Sequence, residues 1–188
     1  MALTIILAGA AVLLVVSALS LALHRSAAGR VVVYGASLIV SATGFAVAVA
    51  QLLGHGPNEV LTLPVGLPWL GAHFRLDALS AFFLAVVNLG GAAASLYALG
   101  YGKHEQAPQR VLPFYPLFLG GMNLVTVADD AFTFLFTWEF MSLSSWALVM
   151  AHDQVRENVR AGYVYLVMAS FGTLALLLAF GLLAGPEG

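Results

Sequence analysis

The feature that most constrains this chain is the spacing of its charges. Lys, Arg, Asp and Glu fall in short clusters separated by long apolar runs. Residues 1–23, 31–54, 78–102, 111–128 and 161–186 carry none of them, and residues 131–151 carry only Glu139. A helix crossing about 30 Å of hydrocarbon needs roughly 20 apolar residues, and every run is near or above that length. A signal peptide or a buried core helix accounts for one such run, not for six. The first run also lacks the basic n-region and small-residue cleavage site of a secretory signal. Only 9% of the 188 residues are charged, against about 25% in a soluble domain. So little charge cannot cover a water-facing surface, and the outside of the fold must face lipid or partner subunits.

A membrane β-barrel needs polar and apolar residues to alternate. LLVVSALSLALH and LALLLAFGLLAG do not alternate. Helices satisfy their own backbone in lipid, so the expected class is an all-α polytopic membrane protein. Six transmembrane helices are expected at about 4–23, 31–53, 79–100, 111–128, 131–151 and 161–183, in one membrane domain. Pro57, Pro64, Pro68, Pro108 and Pro186 lie between or beyond the runs. Pro113 and Pro116 begin the fourth, where a missing N–H costs little.

Arg25, Arg30, Lys103, Arg110, Arg156 and Arg160 fall in odd-numbered loops, and Arg75 alone falls in an even-numbered one. Positive loops stay in the cytoplasm. This places the N-terminus outside, both chain ends on the same side, and the protein in a prokaryotic cytoplasmic (inner) membrane. For each basic residue, topological anchoring is a sufficient role. Asp129 and Asp130 form the outer turn between the fourth and fifth runs. The longest loop, residues 55–78, holds two β-leaning stretches, VLTL and HFRL, around Gly and Pro. It is expected as a hairpin on the outer surface, with Trp69 at the headgroup layer and Asp77 capping the next helix.

Small residues suggest close helix packing. They are Ala42, Ala46 and Ala50, then Gly90 over Ala94 and Gly91 over Ser95, then Gly162, Ser170, Gly172 and Thr173.

Glu139 is the exception in an apolar run. At 1.5 Å per residue it lies inside the hydrocarbon, somewhat toward the outer side. A carboxylate is costly there, and burial favours the neutral form. A group poised in that way can accept and release a proton. Ser142 and Thr137 are expected hydrogen-bond neighbours. The competing reading is a structural carboxylate paired to a neighbouring helix. Asp129 and Asp130 at the outer mouth, and His152, Asp153, Arg156 and Arg160 at the inner rim, are secondary candidates. His24, His55, His73 and His104 sit in separate loops without ligand spacing, so no metal site is expected. No dinucleotide fingerprint or other cofactor motif is present, and no basic patch fits nucleic acid.

The stretch FLFTWEFMSLSSWALVMAHDQVRENVRAGYVYLVMASFGTLALL resembles the antiporter-like subunits of respiratory complex I, of multisubunit sodium/proton antiporters and of energy-converting hydrogenases. Within that family the likeness is strongest to the large antiporter-like subunit of hydrogenase-4 and formate hydrogenlyase. FRLDALSAFF resembles the family's Asp-x-Leu-Ser sequence before its third helix. The resemblance implies two inverted five-helix repeats, of which this chain would be the N-terminal part, ending before helix seven. It implies that Glu139 works with a lysine of that seventh helix in moving protons. Its function would be that of a proton-translocating subunit coupled to quinone- or hydrogenase-type electron transfer. The chain would belong to an oxidoreductase complex without catalysing redox chemistry itself. Its partners would be other membrane subunits, a peripheral redox arm and lipid. Iron–sulfur, nickel–iron or flavin centres would belong to partner subunits, and none to this chain. The alternatives are a sodium/proton antiporter subunit without redox partners and a non-transporting membrane scaffold.

Overall fold

The structure is a computed structural model that describes residues 1–23, 26–54, 56–66, 71–104 and 108–185. Trp69 lies outside the described residues, as do His24, Arg25, His55, Pro68 and Pro186. The elements run α1 (Ala2–Leu23), α2 (Ala27–Gly54), β1 (Glu59–Leu63), β2 (Ala72–Leu76), α3 (Ala78–Tyr101), α4 (Pro108–Val111), α5 (Phe114–Val127), α6 (Ala131–Val149) and α7 (Arg156–Ala184). Single 3₁₀ turns follow α3 and α6. α2 lies along α3, α1 bridges α2 and α5, α6 packs on α5, and α7 packs on α6.

Five helices, α1, α2, α3, α6 and α7, are long and apolar enough to cross a membrane. The fourth expected span is shorter than the sequence suggested. Its helix, α5, has 14 residues, about 21 Å at 1.5 Å per residue. The cause is local. Pro113 has no N–H to give, so the helical ladder ends with the 2.9 Å bond from Leu112 N–H to the Pro108 carbonyl and α5 begins at Phe114, although Pro113 itself keeps αR angles. Pro116 then falls in the first turn, where no N–H is missed. α5 is nevertheless central, with Pro116, Leu119, Gly120, Gly121, Asn123 and Val127 buried.

β1 and β2 pair antiparallel, from Glu59 opposite Leu76 to Leu63 opposite Ala72. Alternation turns Phe74 and Leu76 into the bundle and Arg75 outward. The inward pair joins Leu3, Ile6, Ala48, Ala81, Leu84 and Val127 in one core cluster. Beneath the hairpin, Glu59 accepts from the backbone N–H groups of Ala2 and Leu3 at 3.0 and 2.9 Å. These are unpaired donors of the first turn of α1. Asp77 caps α3 by accepting from Ser80 N–H at 2.8 Å.

Small residues do bring helices close, but not always those the sequence points to. On α2 the buried face is Ser37, Ser41, Gly44 and Ala48, while Ala42, Ala46 and Ala50 are exposed. On α3, Gly91 and Ser95 are buried, and Gly90 and Ala94 are exposed. A β-carbon on Gly121 would sit 2.9 Å from the Cα of Met141, so α5 and α6 touch backbone to backbone there. On α7 only Gly162 is buried among the described residues.

Candidate functional site

Glu139 stands in the middle of α6, and its carboxylate meets α7. Thr173 Oγ1 donates to Glu139 Oε1, and the same hydroxyl lies 3.3 Å from the Ala169 carbonyl. Both residues are half-buried. Among the described residues, no Lys, Arg or His forms an ion pair with Glu139. Aromatic rings join the same two helices. Phe134 stacks on Trp138 at 5.7 Å and meets Phe180 of α7 edge-on at 6.0 Å.

This geometry can support a proton switch. An ionised carboxylate only accepts hydrogen bonds, so Thr173 must donate to it. A protonated carboxyl can donate to the threonine oxygen instead, and the hydroxyl can turn to the Ala169 carbonyl. Both protonation states therefore keep a partner without moving the backbone.

Thr137 makes its hydrogen bonds within its own helix. The Thr137 hydroxyl donates to the Thr133 carbonyl at 2.8 Å and lies 3.1 Å from the Phe134 carbonyl. Its side chain lines a cavity of about 370 Å³ with Leu7, Leu14, Phe74 and Phe132, between α1, the hairpin and α6. Ser142 is buried. The hydrogen-bond partner of Glu139 is Thr173, which the sequence marks only as a small packing residue. A polar residue on the next helix at the same depth was the available signal.

The outer pair is tied to the hairpin. Arg75 Nε lies 2.7 Å from Asp129 Oδ1, and Arg75 Nη2 donates to Asp129 Oδ2 at 3.0 Å. The Asp129 N–H donates to the His73 carbonyl at 2.9 Å. Asp130 caps α6, accepting from Thr133 N–H at 2.8 Å and from Thr133 Oγ1 at 2.5 Å. It also accepts from His73 N–H at 3.1 Å. Burial disfavours ionisation of Asp130, but the Thr133 and His73 hydrogen bonds outweigh it and hold the carboxyl below its usual range. These contacts give Asp129 and Asp130 a structural task, fastening the α5–α6 turn to β2. His73, read from sequence as an isolated loop residue, belongs to this knot.

At the opposite end, Asp153 pairs with Arg110 of α4 at 2.5 Å. The Arg110 guanidinium holds the Asp153 carboxyl below the ordinary aspartate range. The His152 carbonyl accepts from Asn158 Nδ2 at 3.0 Å. Arg156 and Arg160 are exposed on the first turns of α7.

The interior also holds neutral polar groups that a search for charge passes over. Asn88 of α3 donates to Asn123 of α5 at 2.7 Å. About two helical turns away, Ser95 Oγ and Tyr115 OH lie 2.7 Å apart.

Residues 128–188, which contain α6 and α7, match the family described as NADH:quinone oxidoreductase/Mrp antiporter, transmembrane. An uncharacterised protein of Mycobacterium tuberculosis is 35% identical over 153 residues, 80% of this chain and 24% of that protein. Hydrogenase-4 component B of Escherichia coli is 36% identical over 116 residues, 61% of this chain and 17% of that protein. The chain thus spans a quarter or less of the length of these relatives. Among solved structures, a chain of the membrane-bound sulfane sulfur reductase, an archaeal respiratory membrane complex, has the same fold. The TM-score is 0.69 at 17% identity, over 94% of this chain and 37% of that one.

Proposed function

We propose, from the match of residues 128–188 to that family and from the likeness to hydrogenase-4 component B, that this chain is an antiporter-like membrane subunit, part of a proton-translocating subunit of a redox-driven membrane complex. Glu139 is the intramembrane proton carrier in this reading, and Thr173 is its hydrogen-bond partner. The observation that carries it is a carboxylate on a membrane-spanning helix held by a hydroxyl and by no described cation. Such a group keeps a partner in both protonation states. Electron transfer of quinone or hydrogenase type belongs to a peripheral arm, whose iron–sulfur, nickel–iron or flavin centres lie in other subunits. The test is proton translocation per assembled complex with Glu139→Gln, and normal pumping refutes the role.

A second reading, a sodium/proton antiporter subunit without redox partners, is favoured by the other half of the matched family's description. Co-purification decides between them. Iron–sulfur or nickel-containing subunits support the first reading, and small membrane subunits alone support the second.

We further propose six crossings, with α4 and α5 together making the fourth, and an outer N-terminus in a prokaryotic inner membrane. Arg30, Lys103, Arg110, Arg156 and Arg160 then face the cytoplasm, with Arg75 outside. The chain has no cysteine, so single-cysteine labelling tests this directly. Labelling of Lys103→Cys from the outside alone overturns it.

A further inference from the structure

At the end of the bundle opposite the hairpin, α2 begins and α3 ends around a cavity of about 270 Å³. It is lined by Arg30, Val31, Tyr34, Ala98, Leu99, Gly102 and Lys103. Two cations from different elements face one space, Arg30 from the first turn of α2 and Lys103 from the turn after α3. Among the described residues, no acidic residue lines it and neither cation has a carboxylate partner.

The floor is rigid. Tyr34 is buried and meets Tyr115 edge-on at 5.5 Å. A β-carbon on Gly102 would come within 2.8 Å of the Tyr34 ring, so the chain after α3 lies directly on that ring. The wall is apolar. Val31 is exposed on the outer surface, and Ala98 and Leu99 complete the slope toward hydrocarbon.

The geometry points to a binding site for one anionic phospholipid, its phosphate between Arg30 and Lys103 and its glycerol and upper acyl carbons against Val31, Ala98 and Leu99. A loop cation that only anchors topology needs no second cation and no cavity. Here the charge, the apolar wall and the position at a helix boundary match one amphiphile. Free phosphate would use the cations but not the wall. Basic pockets between helix ends are a known physical solution for headgroup recognition. The assignment is independent of Glu139 and of which side of the membrane this end faces.

The experiment is native mass spectrometry of the detergent-extracted chain titrated with phosphatidylglycerol or phosphatidylcholine. Phosphatidylglycerol should bind more tightly. The double variant Arg30→Gln/Lys103→Gln should weaken it by roughly thirtyfold, about fivefold per cation. Each single variant should give its own fivefold share, so the singles decide if the double variant is not recovered. Arg156→Gln/Arg160→Gln removes the same charge from the same end and should leave binding unchanged. Retention in a large excess of inorganic phosphate identifies a lipid. Displacement by inorganic phosphate overturns the lipid assignment. Equal loss in both double variants overturns it too, because attraction would then be general surface charge. So does undiminished binding in Arg30→Gln/Lys103→Gln.

Discussion

Asn88 on α3 donates a 2.7 Å hydrogen bond to the side-chain oxygen of Asn123 on α5, and each amide also donates to the carbonyl four residues before it. Both are almost fully buried, at 1% and 4% exposure. The pair links a long spanning helix to the short α5, which alone covers too little hydrocarbon to be held by length. Gly44 of α2 lies against the Asn88 amide, where a β-carbon would come within 2.7 Å of its oxygen. Three helices therefore meet at one polar contact.

Removing either amide strands the other, and an unmet buried polar group costs more than the net value of the bond. Asn88→Ala and Asn123→Ala should each destabilise the bundle, and the double variant should cost less than their sum. Interhelical hydrogen bonds in membranes couple by about 0.6 kcal/mol on average and up to roughly 1.7. A double-mutant cycle in a denaturing-detergent titration measures this. Additive single effects would show that the two side chains do not interact.

The contact of α5 with α6 at Gly121 is backbone against backbone, so no side chain can swing aside. Gly121→Ala should push the helices apart and cost about 1–3 kcal/mol, the range for overpacking. Gly90→Ala is the control, because nothing lies within 4 Å of its β-carbon position. It should be neutral or slightly stabilising, since alanine favours helix over glycine. Thermal stability of the two variants in one detergent separates them, and equal effects would refute a close crossing at Gly121.

Burial opposes ionisation of Asp130, but hydrogen bonds from Thr133 and His73 hold its carboxyl below the ordinary aspartate range. Its ionised form is favoured by the folded state. The stability it adds is therefore present above the unfolded value and lost as pH falls through the lowered folded value. Acid should loosen the knot of β2 with the start of α6, while neutral and mildly alkaline pH leave it intact. Asp130→Asn should flatten part of the acid limb of an unfolding-against-pH curve. Asp130→Ala should also lose the cap, about 1 kcal/mol. An Asn variant with the wild-type acid slope would exclude Asp130 from that titration.

These contacts also show how far the sequence could be read. Long apolar runs reveal helices because lipid tolerates charge poorly, so α1 and α3 stand out from charge spacing alone. The length of α5 was less visible. Two prolines at a run's start read as a tolerated beginning, while the missing N–H of Pro113 in fact breaks the ladder between α4 and α5. Faces were harder still. Alanines recur on both sides of α2, and the buried side is marked by Ser37 and Ser41, not by Ala42 and Ala46. Glu139 stood out as a lone charge. Its partner Thr173 did not, because a threonine in a membrane helix looks the same whether it packs or donates. That distinction rests on the relative depth and rotation of α6 and α7, which only the assembled pair fixes.

The Glu139–Thr173 contact separates a proton carrier from a structural carboxylate. Glu139→Gln keeps the shape and can still accept from Thr173, but it cannot titrate. In the assembled subunit, pumping per complex should fall by roughly tenfold or more, as when a positioned proton-transfer group is lost. Yield should change little, because the described contacts of Glu139 include no cation left stranded by the change. Glu139→Asp keeps the charge on a shorter stem and should retain partial activity. Thr173→Ser preserves the donor and should resemble wild type. Thr173→Val removes it at similar volume, leaves the ionised carboxylate without its hydroxyl, and should slow translocation without abolishing it. A structural ion pair predicts the reverse balance. Loss of charge would then lower the assembled yield and spare pumping in each surviving complex, and Thr173→Val would leave pumping untouched. Measuring yield and pumping in the same membranes distinguishes the two, and a Gln variant that assembles and pumps normally leaves Glu139 without a transport role.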